Sequence, residues 1–212
     1  MTPTLDIIFR DEMIIVVNKR SGMLAVPGRG PLNQVSVVSL LRQLIPGCIE
    51  QPSVHRLDMD TSGVMVLALT ADGHRHLSKQ FQTRTIEKTY EALLVGHVSG
   101  ETGTIELPFR LDPDRRPYQI YDPVQGKIGI TRWRVLSRAP GFTRVEFLPL
   151  TGRTHQLRLH AAHALGLNCP IVGDRLYGTG TLPGELKLHA RRLAFDHPEN
   201  GSRLVFECPP PF

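Results

Sequence analysis

Residues 53–69 read SVHRLDMDTSGVMVLAL. The last six, VMVLAL, are apolar at odd and even positions alike, which predicts a strand buried on both faces. In the polar part before it, Asp58 follows Arg56 by two positions, so an extended backbone would place both side chains on one face. Asp60 lies two positions further on. Three roles are open for the aspartates: a solvated turn, a catalytic pair, or one reactive carboxylate beside a bystander.

The elements predicted around this strand mix strands with helices. Apolar runs at 7–9 and 13–17, split by three charged residues, predict a hairpin, and a Gly/Pro-rich loop follows over 26–34. Helices are predicted over 37–44, 71–84 and 154–165, the first two capped by Ser36 and Thr70. Further strands are predicted over 88–95, 104–107, 130–136, 144–148, 187–195 and 203–206. Together these elements predict one α+β domain over residues 1–212, a mixed, largely antiparallel sheet with flanking helices. An irregular arm over 108–128, rich in Pro, Arg and Tyr, interrupts the strands.

Composition excludes several classes of protein. With 41% hydrophobic and 21% charged residues, the chain has the usage of an ordinary globular domain rather than a disordered one. No apolar run approaches the ~18 residues that cross a bilayer, so no membrane span is predicted. The N-terminus does not resemble a secretion signal. Three widely spaced cysteines predict neither a disulfide framework nor a cysteine zinc site and favour a reducing cytoplasm.

The cationic residues are mostly arginine. The sequence holds 20 arginines and 5 lysines, with a formal net charge of +5. Guanidinium is planar and bidentate, which suits phosphate contacts and base stacking. A nucleic-acid partner and a GC-rich genome explain this bias equally well from composition alone.

Few motifs of known chemistry are present. His155, His160 and His163 are close together in sequence, as ligands of a metal site would be. A metal site needs its ligands on one face, but residues i and i+5 diverge by roughly 140° on a helix, so His155 and His160 do not share a face. Neither a phosphate loop nor a G-x-S-x-G serine elbow occurs. The segment LTGRTHQLRLH (150–160) places Arg153 after a turn-forming Gly152. Such an arginine could pair with a carboxylate from elsewhere and keep it ionised as a nucleophile or base; a purely structural Asp–Arg bridge is the alternative.

Six blocks, taken in order, resemble the RluA-type pseudouridine synthases and span most of residues 14–198. HRLDMDTSG resembles the family signature H-R-L-D-x-x-T-S-G. The other five blocks are NKRSGMLAVPG, EKTYEALLVG, LTGRTHQLRLH, PIVGDRLYG and LHARRLAFDHP. The resemblance is greatest to the small RluA subgroup without an S4-like module. It implies isomerisation of uridine to pseudouridine in RNA, with no metal and no organic cofactor.

The resemblance assigns roles residue by residue. Asp58 matches the catalytic aspartate, and Asp60 falls at a variable position. Tyr90 matches the tyrosine that stacks on the target base and handles a proton at C5, and Arg153 matches the partner of the aspartate. Further matches in the same blocks imply substrate or RNA contacts for Arg56, which enters the vacated base position, for Leu188, which packs on the uracil, and for His55, Lys88, His155 and Arg158.

These residue types suit the chemistry. An ionised aspartate near the sugar can attack C1′ or remove a proton from C2′, and the sequence leaves both routes open. The target base must leave the stack, at a cost of a few kcal/mol. Stacking on an aromatic ring returns ~1–3 kcal/mol per base. Arg56 could further offset this cost by filling the gap.

The expected partner is RNA, specifically a tRNA anticodon stem-loop, a 23S rRNA hairpin, or both, bound by a monomer. Departures from the family pattern are Arg20, where proline is usual, Gly129 in the arm, and a modestly different segment after the third helix. Two alternative functions predict different effects of substituting the aspartates. A non-catalytic RNA-binding or chaperone module predicts no need for Asp58, and a two-carboxylate glycoside hydrolase predicts equal need for Asp58 and Asp60.

Overall fold

A computed structural model describes residues 4–28, 30 and 34–212. It divides into two compact units, the first made of the chain up to Lys88 together with His189–Phe212, and the second of Thr89–Leu188. The chain crosses between the units inside strands β4 (Glu87–Val95) and β9 (Leu188–Asp196). The α+β class with a mixed sheet is confirmed, and one catalytic domain over 1–212 stays a prediction. Positions 29 and 31–33 of the predicted loop lie outside the described residues.

The first unit surrounds the buried strand predicted from VMVLAL, which is β3 (Ser62–Ala68). Besides β3 and its parts of β4 and β9, the unit contains β1 (Asp6–Arg10), β2 (Ile14–Lys19), α1 (Val37–Leu44), α2 (Ala71–Thr83) and β10 (Arg203–Glu207). The strands β1, β2 and β3 are antiparallel neighbours, as are β9 and β10, whereas β3 and β9 run parallel. Every residue of β3 is buried, and its even-numbered Val64 and Val66 join Leu77 of α2 and Phe195 of β9 in one apolar cluster.

Gly63 permits the contact between β3 and β9. Its φ is +114°, and a Cβ placed there would lie 2.3 Å from the carbonyl oxygen of Ala190. Only glycine combines that backbone conformation with so close an approach of two strands. The glycine of the TSG sequence therefore determines how the residues just after the aspartates meet the last part of the chain.

The second unit is antiparallel throughout its described strand pairs. Beside β4, it contains β5 (Thr102–Leu111), β6 (Gln119–Tyr121), β7 (Lys127–Ala139), β8 (Phe142–Pro149) and α3 (Gln156–Ala162). The strand order is β4-β8-β7-β5-β6. Its core joins both strand and helix residues, among them Phe109, Trp133, Phe147 and Leu157.

The caps explain why two helices match their predicted ranges. The Ser36 hydroxyl accepts from the Ser39 N–H at 3.1 Å, and the Thr70 hydroxyl from the Gly73 N–H at 3.1 Å. Helix α3 is shorter than predicted, because His155 has φ +55° before it and His163 is extended after it. In the described ranges, none of the helices is long and apolar enough to cross a membrane.

The arm over 108–128 is more ordered than predicted. It contains the short strand β6, which pairs with the end of β5. Its tip turn is fixed by Asp122, whose carboxylate accepts from the N–H groups of Val124 and Gln125 at 2.9 Å each and from Arg110. The arm therefore presents its exposed side chains on a defined backbone.

Helix α3 carries a buried histidine beneath this arm. His160 is fully buried, neither ring nitrogen has a hydrogen-bond partner among the described residues, and its ring meets Phe109 edge to face at 5.8 Å. Gly129 makes room for it, since a Cβ there would lie 2.6 Å from the Phe109 ring and 3.1 Å from His160 Nε2. Burial, with a smaller effect of His163, lowers the pKa of His160 to about 4.

We expect His160→Met to reduce the acid sensitivity of the fold. The His160 ring takes up a proton near pH 6.5 in the unfolded chain but only near pH 4 in the folded chain. The contribution of the neutral ring to the free energy of unfolding is therefore complete above pH 6.5 and is lost as the pH falls towards 4. At pH 5 the loss amounts to about 2 kcal/mol. Urea unfolding of the wild-type protein and of His160→Met at pH 7.5 and pH 5 measures this loss. An equal loss of unfolding free energy in the two proteins would contradict the prediction.

Candidate active site

The two aspartates lie on a loop that we call the aspartate loop, residues 53–61. Leu57 buries its side chain, Asp58 is half-buried and Asp60 is buried. The Asp58 carbonyl accepts from the Thr61 N–H at 3.1 Å, which closes a tight turn over 58–61. The two carboxylates thus lie on a turn with different exposure, and Asp58 is the more accessible.

A buried lysine supports the aspartate loop from beneath. Lys19 is 1% exposed, and its ammonium donates to the carbonyls of Arg20 (3.1 Å), Met23 (2.7 Å) and Met59 (2.9 Å). Burial lowers the pKa of Lys19 to about 7, although the nearby carboxylates of Asp58 and Asp60 act to raise it. An ammonium has three N–H donors, one for each carbonyl, whereas a neutral amine has two. The geometry therefore suits the charged form.

We expect Lys19→Met to weaken both the fold and the reaction. Three backbone carbonyls lose a buried donor, which should cost about 3 kcal/mol of unfolding free energy. Release of Met59 lets the aspartate loop shift, so the single-turnover rate of the pseudouridine formation that the family resemblance implies should fall by roughly tenfold. Urea unfolding and rapid-quench kinetics measure the two effects. Lys79→Met, at an exposed position on α2, is the stability control, and equal stability of both variants would contradict the prediction.

Further hydrogen bonds hold the end of the aspartate loop. The Ser21 hydroxyl donates to the Asp60 carbonyl. Ser62 Oγ lies 2.8 Å from His189 Nδ1, and His189 Nε2 lies 3.0 Å from the Cys208 carbonyl. Because a carbonyl only accepts, Nε2 donates to it. His189 therefore links the start of β3 to the C-terminal segment.

His55 lies inside the first unit. Its ring stacks on Phe81 of α2 at 4.6 Å, and its Nε2 accepts from the Val66 N–H at 3.1 Å. Burial, and to a lesser degree the charge of Lys88, lowers the pKa of His55 to about 3, so the ring is neutral at physiological pH. This placement gives His55 a structural role in positioning the aspartate loop, and its contact with RNA stays a prediction.

Two predicted RNA-contacting cations share this unit. Arg56 is exposed on the aspartate loop, one residue before Leu57 turns inward. Lys88 is half-buried at the start of β4, and burial, followed by the neighbouring charge of Arg84, lowers its pKa. Lys88 and Arg84, whose charges lie close enough to interact, favour the arrival of an anion such as a phosphate.

In the second unit, Arg153 lies on a turn that we call the arginine turn, residues 150–155. The buried amide of Gln156 fixes this turn. Its Oε1 accepts from the Thr151 hydroxyl at 2.7 Å and from the Arg153 N–H at 3.1 Å. Its Nε2 donates to the Ile130 carbonyl at 3.0 Å and to the Thr131 hydroxyl at 2.9 Å. Two of these bonds hold the arginine turn and two anchor Gln156 to β7, while the Arg153 side chain is exposed.

Arg158 and His155 are tied to residues of the GDRLYG sequence. Arg158 is 3% exposed and forms a bidentate ion pair with Asp174, at 2.8 and 2.6 Å. Burial acts to raise the pKa of Asp174, but the hydrogen bond and charge of Arg158 and two backbone N–H groups outweigh it and lower the pKa. His155 Nδ1 lies 3.0 Å from the Tyr177 hydroxyl. Both side chains are buried and make contacts within the protein. Their contacts with RNA stay a prediction.

Tyr90 and Leu188 meet the same apolar cluster. Tyr90 lies in β4, opposite Phe147 of β8, and is half-buried. Leu188 is 3% exposed and belongs to the cluster against which Tyr90 packs. The structure therefore brings together the two residues expected to contact the uracil.

Sequence inspection missed the supporting residues. Lys19, Gln156 and Tyr177 each lie inside a block that resembles the family, which is the signal that could have drawn attention to them. Their roles depend on contacts with residues 26 to 58 positions away. Across the described part of the chain, no group of three or more His, Cys, Asp or Glu side chains is arranged to hold a metal ion.

Comparison with known proteins identifies the class. The model of the family described as RNA pseudouridylate synthase matches residues 13–163. The dual-specificity RNA pseudouridine synthase RluA of Yersinia pestis is 43% identical over 206 residues, which cover 95% of this chain and 97% of that protein. The protein of the same name from Escherichia coli K12 is 41% identical, with 99% and 95% covered.

Solved structures agree in fold. Human RNA pseudouridylate synthase domain containing 1 superposes with a TM-score of 0.80 at 30% identity, covering 100% of this chain and 87% of the human one. The corresponding domain-containing 4 protein gives 0.75 at 27% identity, with 97% and 88% covered. The chain belongs to the RNA pseudouridylate synthase family, in its RluA branch. It is an isomerase that acts on RNA, which removes the glycoside hydrolase and the non-catalytic module as alternatives.

Proposed function

We propose that this enzyme converts uridines in two kinds of RNA, tRNA anticodon stem-loops and a 23S rRNA hairpin. The observation that carries the proposal is 43% identity, over 95% of the chain, to a relative named as dual-specificity. Such coverage includes the arm over 108–128, where RNA shape is expected to be recognised. RNA-binding proteins distinguish substrates largely by the shape of loops and unstacked bases.

The arm has the composition expected of an RNA contact. Arg115, Arg116 and Lys127 are exposed along it, and the tip residue Val124 is 87% exposed. Exposed guanidinium groups on an ordered backbone can contact phosphates with little further loss of conformational freedom. An arm of this kind fits a stem-loop whose shape is common to two RNAs.

For the chemistry, we propose Asp58 as the catalytic carboxylate, Arg153 as its ion-pair partner and Tyr90 as the residue that stacks on the uracil. Support comes from the matching sequence blocks and from the local geometry of each residue. Asp58 is accessible on a supported loop, Arg153 is exposed on a fixed turn, and Tyr90 shares an apolar cluster with Leu188.

Arg56 is proposed to enter the RNA where the uridine has left the stack. Its exposure, two residues before Asp58, supports this role. Flipping the base costs a few kcal/mol, and a guanidinium that bonds to orphaned base edges offsets part of it. The enzyme is further proposed to act as a monomer in the reducing cytoplasm, without metal or organic cofactor. The three free cysteines agree with that compartment.

The substrate proposal is tested by mapping. Unmodified tRNA transcripts and 23S rRNA fragments are incubated separately with the purified protein, and pseudouridines are located by carbodiimide-dependent primer extension. Expected are stops at anticodon stem-loop uridines and at one rRNA hairpin, and loss of the same sites from cells that lack the gene. Modification of only one RNA class would contradict dual specificity while leaving the isomerase activity intact.

A further inference from the structure

The GDRLYG sequence, residues 173–178, has no role in the proposed chemistry. Within the second unit, however, it contacts two functional segments. Asp174 pairs with Arg158 of α3 and accepts from the N–H groups of Leu176 and Tyr177, at 2.8 and 3.1 Å. This arrangement fixes the backbone of Tyr177 and directs its ring beneath the Arg158 guanidinium, 5.4 Å from the ring centre.

The Tyr177 hydroxyl lies at the junction of the arm and the arginine turn. On one side it accepts from the N–H of Gln119, the first residue of β6, at 2.8 Å. On the other side it lies 3.0 Å from Nδ1 of His155, the last residue of the arginine turn. A phenol has one proton to donate, and since a backbone N–H can only donate, that proton is available to Nδ1. One hydroxyl thus connects the two segments.

Both segments need such support. Strand β6 has only three residues, so few backbone bonds hold it to β5. His155 has φ +55°, a left-handed conformation that is unfavourable for a residue with a side chain. Residues in such conformations persist when surrounding contacts enforce them. The bond to Tyr177 is a contact of that kind, two residues from Arg153.

We propose that Tyr177 is a positioning residue that couples the RNA-binding arm to the placement of Arg153. The inference rests on the proposed roles of the arm and of Arg153. A shift of β6 when RNA docks is transmitted through the hydroxyl to His155 and thereby to the arginine turn. The correct stem-loop is consequently favoured in the catalytic step as well as in binding.

The test is Tyr177→Phe, which removes the hydroxyl and keeps the ring against Arg158 and Tyr118. Single-turnover pseudouridine formation on an anticodon stem-loop should slow by roughly 10- to 100-fold, because two bonds are lost and the arginine turn is misplaced. RNA affinity, measured with and without Tyr177→Phe in the Asp58→Asn background, should weaken by less than about threefold, since the arm keeps its exposed cations.

Thr143→Val is the matched control. The Thr143 hydroxyl lies in the second unit and, like that of Tyr177, takes part in two bonds, accepting from the Val98 N–H at 3.2 Å and donating to the Gly96 carbonyl at 2.8 Å. This variant should lower the melting temperature at least as much as Tyr177→Phe and leave the rate unchanged. A lowered melting temperature with a normal rate for Tyr177→Phe would overturn the proposal.

A double-mutant cycle tests the route through His155. In a His155→Ala background, Tyr177→Phe should change the rate by less than about twofold, because the shared bond is already absent. A full, additive loss in that background would also overturn the coupling. These outcomes are separate from the proposed function, which is tested by mapping the modified uridines and by the loss of activity expected for the Asp58→Asn enzyme.

Discussion

Asp58→Asn should abolish pseudouridine formation, with a loss of at least about 10⁴-fold in the single-turnover rate. The amide keeps the size of the side chain but can neither attack C1′ nor remove a proton from C2′. RNA binding should survive, because two bonds that hold the aspartate loop are made to its backbone: the Asp58 carbonyl still accepts from the Thr61 N–H, and the Met59 carbonyl from Lys19. Tritium release from C5-labelled RNA measures the rate, and filter binding measures the affinity.

Asp60→Asn is the matched comparison on the same turn. The bond from Ser21 goes to the Asp60 carbonyl and survives the substitution. We expect a loss of less than about tenfold, which corresponds to at most ~1.4 kcal/mol in the barrier. Comparable losses at the two positions would instead indicate a two-carboxylate mechanism and would contradict the assignment of Asp58 alone.

Asp174→Asn should be the most destabilising of the conservative changes considered. It removes the carboxylate from a guanidinium that is 3% exposed, and breaking a buried ion pair in this way typically costs about 3–5 kcal/mol. The free energy of unfolding in urea measures the effect. The loss should be partly recovered in Arg158→Met/Asp174→Leu, which removes both charges.

Asp72→Asn is the control for this prediction. Asp72 pairs with Arg75 on α2 at 2.7 Å, but both side chains are about two-thirds exposed, at 66% and 69%. Exposed pairs of this kind contribute roughly 0–1 kcal/mol. If Asp174→Asn cost no more than Asp72→Asn, the ion pair with Arg158 could not be what holds the GDRLYG sequence in place.

The sequence predicted elements best where local signals decide them. Helices α1 and α2 begin at hydroxyl caps and have apolar residues at helical spacing, and both were placed within one residue. The start of α3 was not, because His155 has φ +55°, a left-handed conformation that residues with a side chain rarely adopt. Strand β6 was missed for a related reason: three residues among prolines carry no period, and their conformation is set by pairing with Leu111 and its neighbours.

In the candidate site, too, some residues were predicted from the sequence and others were not. The blocks that resemble the family assigned roles to Asp58, Tyr90 and Arg153, and these roles stay predictions. What supports them could not be predicted, because burial is a property of the fold. Nothing in the letters distinguishes Lys19, which is buried under the aspartate loop, from Lys88, which is half-exposed beside Arg84. Arg158 likewise looked like an RNA contact and is engaged by Asp174.

The bond between Ser62 and His189 has a consequence for biosynthesis. The second unit is one continuous stretch, so the growing chain can complete its strand pairs before β9 and β10 are synthesised. The first unit also needs β9 and β10, which follow the whole second unit in the sequence, because only then can His189 reach Ser62 and the Cys208 carbonyl. The loop that bears Asp58 therefore gains these contacts only after β9 and the segment around Cys208 have been synthesised, and a nascent chain that has not reached them should not modify the RNA-rich surroundings in which it is made.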